Sequence, residues 1–329
     1  METVNVGILG FAHGHVGTYC NRWRAHPDMG VRLSAGWDHD AERRRQGCGE
    51  HGIEEAASAE ALLARPGLDA VVIGAETSLH ADLVEQAASA GKAVILQKPI
   101  ALTIEEADRI VAAVERSRVP FTMAWQMRVD PHNLEARSLL ASGKFGKVFM
   151  VRRRHGLPTH LWKDFDKAWH VQPRFNRDIF ADDACHAIDF LYWLLGAPCS
   201  VTAERGALLI PAIPNDIAIA VFRFAGGVIA EACCSFVTVA GENTLEIVCE
   251  NGMIVGNYGD LPSCLSPRPP GGIQLKWYLQ KSGQWSASSL PDITQQGERG
   301  AGLAGPLAEF LHGRRPAGER GSSADRRSC

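Results

Sequence analysis

Charge is costly to bury, and this chain places it at the end of an apolar run. Ala93-Val94-Ile95-Leu96-Gln97-Lys98-Pro99-Ile100 reads as a buried strand that runs straight into a lysine and a proline. Much later comes Asp182-Asp183-Ala184-Cys185-His186-Ala187-Ile188-Asp189. Asp182 and His186 lie four apart, so a helix from Asp182 to Leu195 stacks them on one face, with Asp189 a turn further on. Lysine, aspartate and histidine are the types that hold and pass a proton near neutral pH. Plainer readings stand beside this one: a strand-end lysine reaching to water, and a solvated Asp/His face. Cys185 and His186 are not a nucleophile pair, because helical neighbours diverge by about 100°. The Lys98–Pro99 step is expected to be cis, since only X-Pro bonds adopt that form cheaply.

The elements that must carry these residues fall into two patterns. Over the first 120 residues apolar strands (4–9, 31–37, 69–74, 94–97, 121–124) alternate with helices (16–25, 41–52, 80–90, 103–117). That order predicts a doubly wound parallel sheet, covered on both faces. From about residue 145, six strands follow with few helices between: 148–154, 201–209, 217–224, 228–236, 243–249 and 253–257. Strands in succession predict an α+β domain on a large mixed or antiparallel sheet. The expected division is 1–122, 123–313, and a polar, disordered tail at 314–329, with a Pro/Gly-rich loop over 261–272. Val221, Val228, Ala230, Ala232, Phe236 and Val237 suggest an apolar sheet face that needs cover.

Composition narrows the partners. The 329 residues are 46% hydrophobic and 22% charged, with a formal net charge of −3. This gives no electrostatic case for nucleic acid or an anionic membrane. The nine cysteines are scattered without a CxxC, which reads as reduced thiols in a cytoplasmic protein. No His/Cys/Asp spacing fits a metal.

Gly10-Phe11-Ala12-His13-Gly14-His15 follows the first strand and opens the first helix. Glycines there let backbone N–H groups approach a pyrophosphate. The match is imperfect, with Ala12 and His15 at the second and third glycine positions, so an ordinary strand–helix turn remains an alternative. Asp38, ending the second strand, stands where an acid holds the adenosine ribose hydroxyls. It would repel a 2′-phosphate and favour NAD, while Arg43, Arg44 and Arg45 leave NADP open. His13, His15 and His80 lie at the carboxyl edge of the sheet, either as phosphate contacts or as turn-stabilising residues.

In order and spacing, roughly from residue 4 to 312, the chain resembles the glucose–fructose oxidoreductase / inositol dehydrogenase / MocA (Gfo/Idh/MocA) family. The resemblance rests on the turn at Gly10, Asp38, Asp69-Ala70-Val71-Val72-Ile73, Gly91-Lys92-Ala93-Val94, Gln97-Lys98-Pro99, and Asp182-x-Ala184-x-His186-x-x-Asp189 before Trp193-Leu194-x-Gly196. It implies a catalytic triad of Lys98, Asp182 and His186. It also implies Thr77 and His80 beside the cofactor, with Gln97 and Gln126 near them. Arg128, His155, His160, Trp169 and His170, with Asp182 and His186, are implied to contact substrate. Three departures stand out: Gln97 replaces a usual glutamate, Ala184 a usual glycine, and Asn176-Arg177-Asp178-Ile179 a usual glycine run.

The implied activity is NAD-dependent hydride transfer between nicotinamide and a secondary hydroxyl or ketone of a sugar, polyol or glycoside. Two alternatives stay open. One is glycoside cleavage through a transient keto-sugar; the other is a non-catalytic sugar- or cofactor-responsive regulator. A homodimer or homotetramer joined through the second domain's sheet is expected.

Overall fold

Short strands with no polar face must be covered on both sides. β1 (Val4–Leu9), α1 (His15–Ala25), β2 (Val31–Trp37), α2 (Ala41–His51), β3 (Glu54–Glu55), α3 (Ala59–Leu63), β4 (Ala70–Ile73), α4 (His80–Ser89), β5 (Ala93–Leu96), α5 (Ile104–Ser117) and β6 (Phe121–Met123) follow one another. In the computed structural model, which describes residues 2–239, 242–258, 274–291 and 298–313, the strands form one parallel sheet in the order β3-β2-β1-β4-β5-β6. Ile8, Leu9, Val71, Val72, Ile95 and Leu96 are fully buried. The order reverses direction between β1 and β4, and ligands of doubly wound sheets bind beyond the carboxyl ends of the strands at such a point. Asp40 caps α2, accepting from the Glu42 and Arg43 N–H groups at 2.9 Å each. Thr103 and Glu106 form a reciprocal capping box on α5.

The second compact unit opens at Met127, within α6 (Gln126–Val129), and continues with α7 (Pro131–Ala141) and β7 (Val148–Gly156). Then come α8 (Ile179–Asp182), α9 (Ala184–Leu195), β8 (Ser200–Gly206), β9 (Ile217–Arg223), β10 (Ile229–Ser235), β11 (Glu242–Cys249), β12 (Gly252–Tyr258), β13 (Leu275–Leu279) and β14 (Gln284–Ala287). Its sheet runs β14-β13-β12-β11-β7-β10-β9-β8, with β7 and β10 parallel and the other pairs antiparallel. Ala187, Phe190 and Leu191 of α9 share a core with Ala220, Phe222, Ala232 and Ile247 of the sheet.

Several expectations need correction. The helix expected over 182–195 is two helices: the Asp183 N–H closes α8 on the Ile179 carbonyl, and His186 reaches back only to Asp183. β13, β14 and α7 were not foreseen, although Asp130-Pro131 is a good start signal for α7: the Asp130 carboxylate accepts from His132 and Asn133. Of the apolar residues expected on one open face, Ala230, Ala232 and Phe236 point into the core, while Val221 is exposed with Ile219 and Ile229. Strand alternation sends these two sets to opposite sides. The expected domain boundary also shifts. The first unit runs through Gln126 and takes in residues 174–176 and the helices α10 (Glu298–Ala301) and α11 (Ala304–Leu311). These helices pack on α1, where Trp23 Nε1 donates to the Ala304 carbonyl at 2.8 Å. Cys199 is disulfide-bonded, so uniformly reduced thiols do not hold. The tail at 314–329 and the loop over 261–272 lie outside the described residues. No described helix is long and apolar enough to cross a membrane.

Candidate active site

Gly10 has φ +92°, and a Cβ there would collide with the backbone of Ala75. Glycine is required on both counts. The turn can therefore lie against the end of β4, where His13 N–H donates to the Gly74 carbonyl at 2.9 Å. Gly14 begins α1 with no side-chain cap and no acid in the first turn, and a Cβ at Gly14 or Gly17 would meet nothing within 4 Å. An uncapped helix start with open space in front suits an anion. Phe11 contributes backbone: its ring packs on Gly36 and Gly47, and its N–H donates to Asp38 Oδ2 at 2.8 Å. His13 is buried, with its ring 4.7 Å from that of His15; Ala12 completes the turn.

Asp38 ends β2 fully buried, and its oxygens are already engaged. They accept from the Phe11 and Asp40 N–H groups and from Arg43 Nε and Nη2, at 2.7–2.8 Å. Arg43 Nη2 also donates to Glu76 Oε1 at 2.8 Å, and His39 Nε2 lies 3.0 Å from Glu76 Oε2. Burial pulls the Arg43 pKa down, but Asp38 and Glu76 more than offset it and the net shift is upward. Beside this cluster, His39, Asp40, Arg45, Leu79, Arg174 and Phe175 line an open groove of about 850 Å³. The Phe175 ring centroid lies 5.8 Å from that of His39, and the Arg174 guanidinium carbon lies 4.3 Å from the Phe175 centroid. Glu76, His39, Arg174 and Phe175 were missed in sequence. Only an unexpected acid in the turn after β4 could have drawn attention to them.

Thr77 is buried and its hydroxyl has no partner among the described residues. Such an atom at the strand ends fits a bound polar ligand. His80 was expected either to border the cofactor or to stabilise a turn. It is fully buried, with Nε2 3.1 Å from the Ala75 carbonyl and Nδ1 2.9 Å from that of Pro99; burial lowers its pKa. It braces two backbone turns. Gln97 Nε2 donates to the Tyr19 hydroxyl at 2.9 Å. Lys98 is only 3% exposed and precedes a cis proline, as expected. Gln126 is buried at the end of the same unit.

In the second unit Asp182 and His186 are both 1% exposed. Asp182 Oδ2 lies 2.6 Å from His170 Nδ1, and Trp169 stacks on that imidazole at 3.9 Å. Asp183, brought inward by the helix break, lies 2.8 Å from His155 Nε2. The His155 ring is 6.0 Å from that of His186. Asp182 thus faces His170 and Asp183 faces His155, where sequence spacing had set Asp182 beside His186. Arg128 makes a bidentate pair with Asp189 at 2.6 and 2.9 Å, so its guanidinium is held by protein. His160 Nδ1 lies 3.1 Å from the Phe236 carbonyl, so that ring is tied to backbone. Among the described residues no cluster of three or more His, Cys, Asp or Glu forms a metal site.

A glycine turn under an uncapped helix, at the point where a parallel sheet reverses order, is the architecture of a dinucleotide-binding oxidoreductase domain. Residues 4–124 match the model of an oxidoreductase family with an NAD-binding Rossmann fold, and residues 133–255 match the GFO/IDH/MocA C-terminal domain. The chain belongs to the Gfo/Idh/MocA family. It is 34% identical over 160 residues to the inositol 2-dehydrogenase of Rhizobium meliloti, 48% of this chain and 46% of that one. It is 27% identical over 242 residues to the 1,5-anhydro-D-fructose reductase of Ensifer adhaerens, 72% and 70% of the two chains. The chain thus spans about half the length of the first of these relatives. A levoglucosan dehydrogenase structure in complex with NADH shares the fold, with a TM-score of 0.81 over 96% of this chain and 92% of that one at 19% identity.

Proposed function

We propose that the protein is an NAD-dependent oxidoreductase moving a hydride between nicotinamide and a secondary hydroxyl or ketone of a sugar, polyol or glycoside. The observation that carries this is the burial of proton-handling groups, with Lys98 at the carboxyl edge of the sheet and Asp182 and His186 at the helix break. Such groups are seldom buried without a task. The turn at Gly10 to Gly14, with Thr77, is assigned to the nucleotide. When bound, NAD supplies the hydride acceptor. His186 takes the hydroxyl proton during oxidation. Asp182, steadied by His170 and Trp169, orients the substrate or the imidazolium. Lys98 hydrogen-bonds the reacting oxygen and offsets its developing negative charge. The names of the relatives support a polyol or sugar as substrate. Assembly as a homodimer or homotetramer through the sheet face that exposes Ile219, Val221 and Ile229 belongs to the same proposal.

The test is to incubate the protein and NAD⁺ with a panel of inositols, sugars and glycosides, following NADH and products together. Accumulating NADH in proportion to a keto product is the expected result. Cleaved glycoside without NADH would favour the transient keto-sugar route. No turnover on any member, with NAD still bound, would favour a regulator.

A further inference from the structure

We propose that Glu76 is a second carboxylate governing cofactor choice: it holds Arg43 jointly with Asp38, so that Arg43 cannot serve a 2′-phosphate. NADP differs from NAD by a dianionic group on the adenosine ribose. A dinucleotide fold accepts that group when an arginine near the end of the second strand can turn to it. Arg43 is in that neighbourhood, and it is committed. Its Nε and Nη2 both bond Asp38, at 2.7 and 2.8 Å, and the same Nη2 bonds Glu76 Oε1 at 2.8 Å.

Glu76 is only 1% exposed, at the turn after β4, where Ala75 packs on Gly10. A carboxylate so buried needs partners, and it has two, Arg43 and His39. Asp38 alone would leave a neutral pair with Arg43. Glu76 leaves the cluster with one negative charge in excess while His39 is neutral. A dianion placed against it meets repulsion that Arg43 cannot answer without abandoning a buried acid. The two carboxylates are buried, at 0% and 1% exposure, so their charge is weakly screened even though Arg43 borders the open groove. The groove beside the cluster, lined by His39, Arg45 and Phe175, is where the adenosine end would have to meet this charge.

This inference rests on the nucleotide-binding reading of the first unit, and equilibrium titration keeps the two apart. Kd would be measured for NAD⁺ and NADP⁺, and for the fragments 5′-AMP and 2′,5′-ADP. The proteins compared are the unaltered chain, Glu76→Gln and Glu76→Asp. Glutamine keeps the shape and an acceptor for Arg43 but removes the charge. The expected result is a fall of about tenfold or more in the ratio Kd(NADP⁺)/Kd(NAD⁺) for Glu76→Gln, mirrored by the fragments. Glu76→Asp, which keeps the charge, should hold the original ratio even where overall affinity drops. An unchanged ratio in Glu76→Gln, or an equal loss for both nucleotides, would overturn the proposal and leave Glu76 a structural residue. Should the glutamine variant not fold, Glu76→Met carries the same expectation. Failure of the unaltered protein to bind either dinucleotide would overturn the nucleotide-binding reading instead.

Discussion

Lys98 and His186 are the residues on which the proposed chemistry turns. Lys98→Ala or His186→Ala is expected to lower kcat by about 10²-fold or more, the ordinary scale of lost acid–base help. NAD affinity, measured by titration, should change much less. Turnover near the original level in the double variant would refute these roles. Gln97 tests the electrostatics next to Lys98. A glutamate there would favour the ammonium form and move the alkaline limb of the pH–rate profile upward. Because Gln97 also donates to Tyr19, Tyr19→Phe is the control: it removes the hydrogen bond without adding charge and should leave that limb in place. Lys98, Asp182, His186 and Asp38 could be picked out as candidates because each stands at a strand end or helical spacing that sequence displays, and all four are buried. The clamp of Asp38, Arg43 and Glu76 could not be picked out. Asp38 and Arg43 share the connection from β2 into α2, but Glu76 comes from the turn after β4, and nothing in the spacing records that β2 and β4 both flank β1. The two readings of His80 could not be separated for a related reason: a histidine beside a ligand edge and one bonded to backbone carbonyls read alike in sequence.

Strands with an unbroken apolar pattern were read well, namely β1, β2, β4, β5 and β6, whereas the short polar β3 was not foreseen. Nor was the break between α8 and α9, because four-residue spacing satisfies one helix as readily as two consecutive ones. That break places Asp183 against His155, and it leaves Asp189 on α9 in its pair with Arg128 on α6. Burial raises the Asp189 pKa, although Arg128 opposes it. An acid whose pKa is higher folded than unfolded loses stability as pH climbs past its unfolded value of about 3.9. Removing Arg128 enlarges that loss. Arg128→Met is therefore expected to cost about 2 kcal/mol at neutral pH and distinctly less at about pH 4, read from urea unfolding at both. Equal cost at the two pH values would mean that packing, not charge, holds α6 to α9. The box on α5 offers a simpler test, since Thr103→Ala should cost about 1 kcal/mol with NAD affinity unchanged.

At the scale of the whole molecule, an exposed apolar strip on the second unit's sheet predicts self-association. Light scattering should report a particle at least twice the 35.7 kDa chain, and Val221→Lys with Ile219→Lys should reduce it to one chain. A monomer before substitution would rule this out. The first unit carries a different consequence, one of timing. Its six strands are complete by Met123, yet Trp23 finds the acceptor for its indole N–H only at Ala304. Protein synthesis delivers the N-terminal segment first, at roughly 5–20 residues per second. The sheet can therefore form early, but the face of α1 that carries Trp23 waits for some tens of seconds of further elongation before α10 and α11 exist to cover it. A ribosome stalled before residue 298 would present a nearly finished nucleotide-binding unit with one tryptophan-bearing flank bare, a natural target for a chaperone that recognises apolar surface.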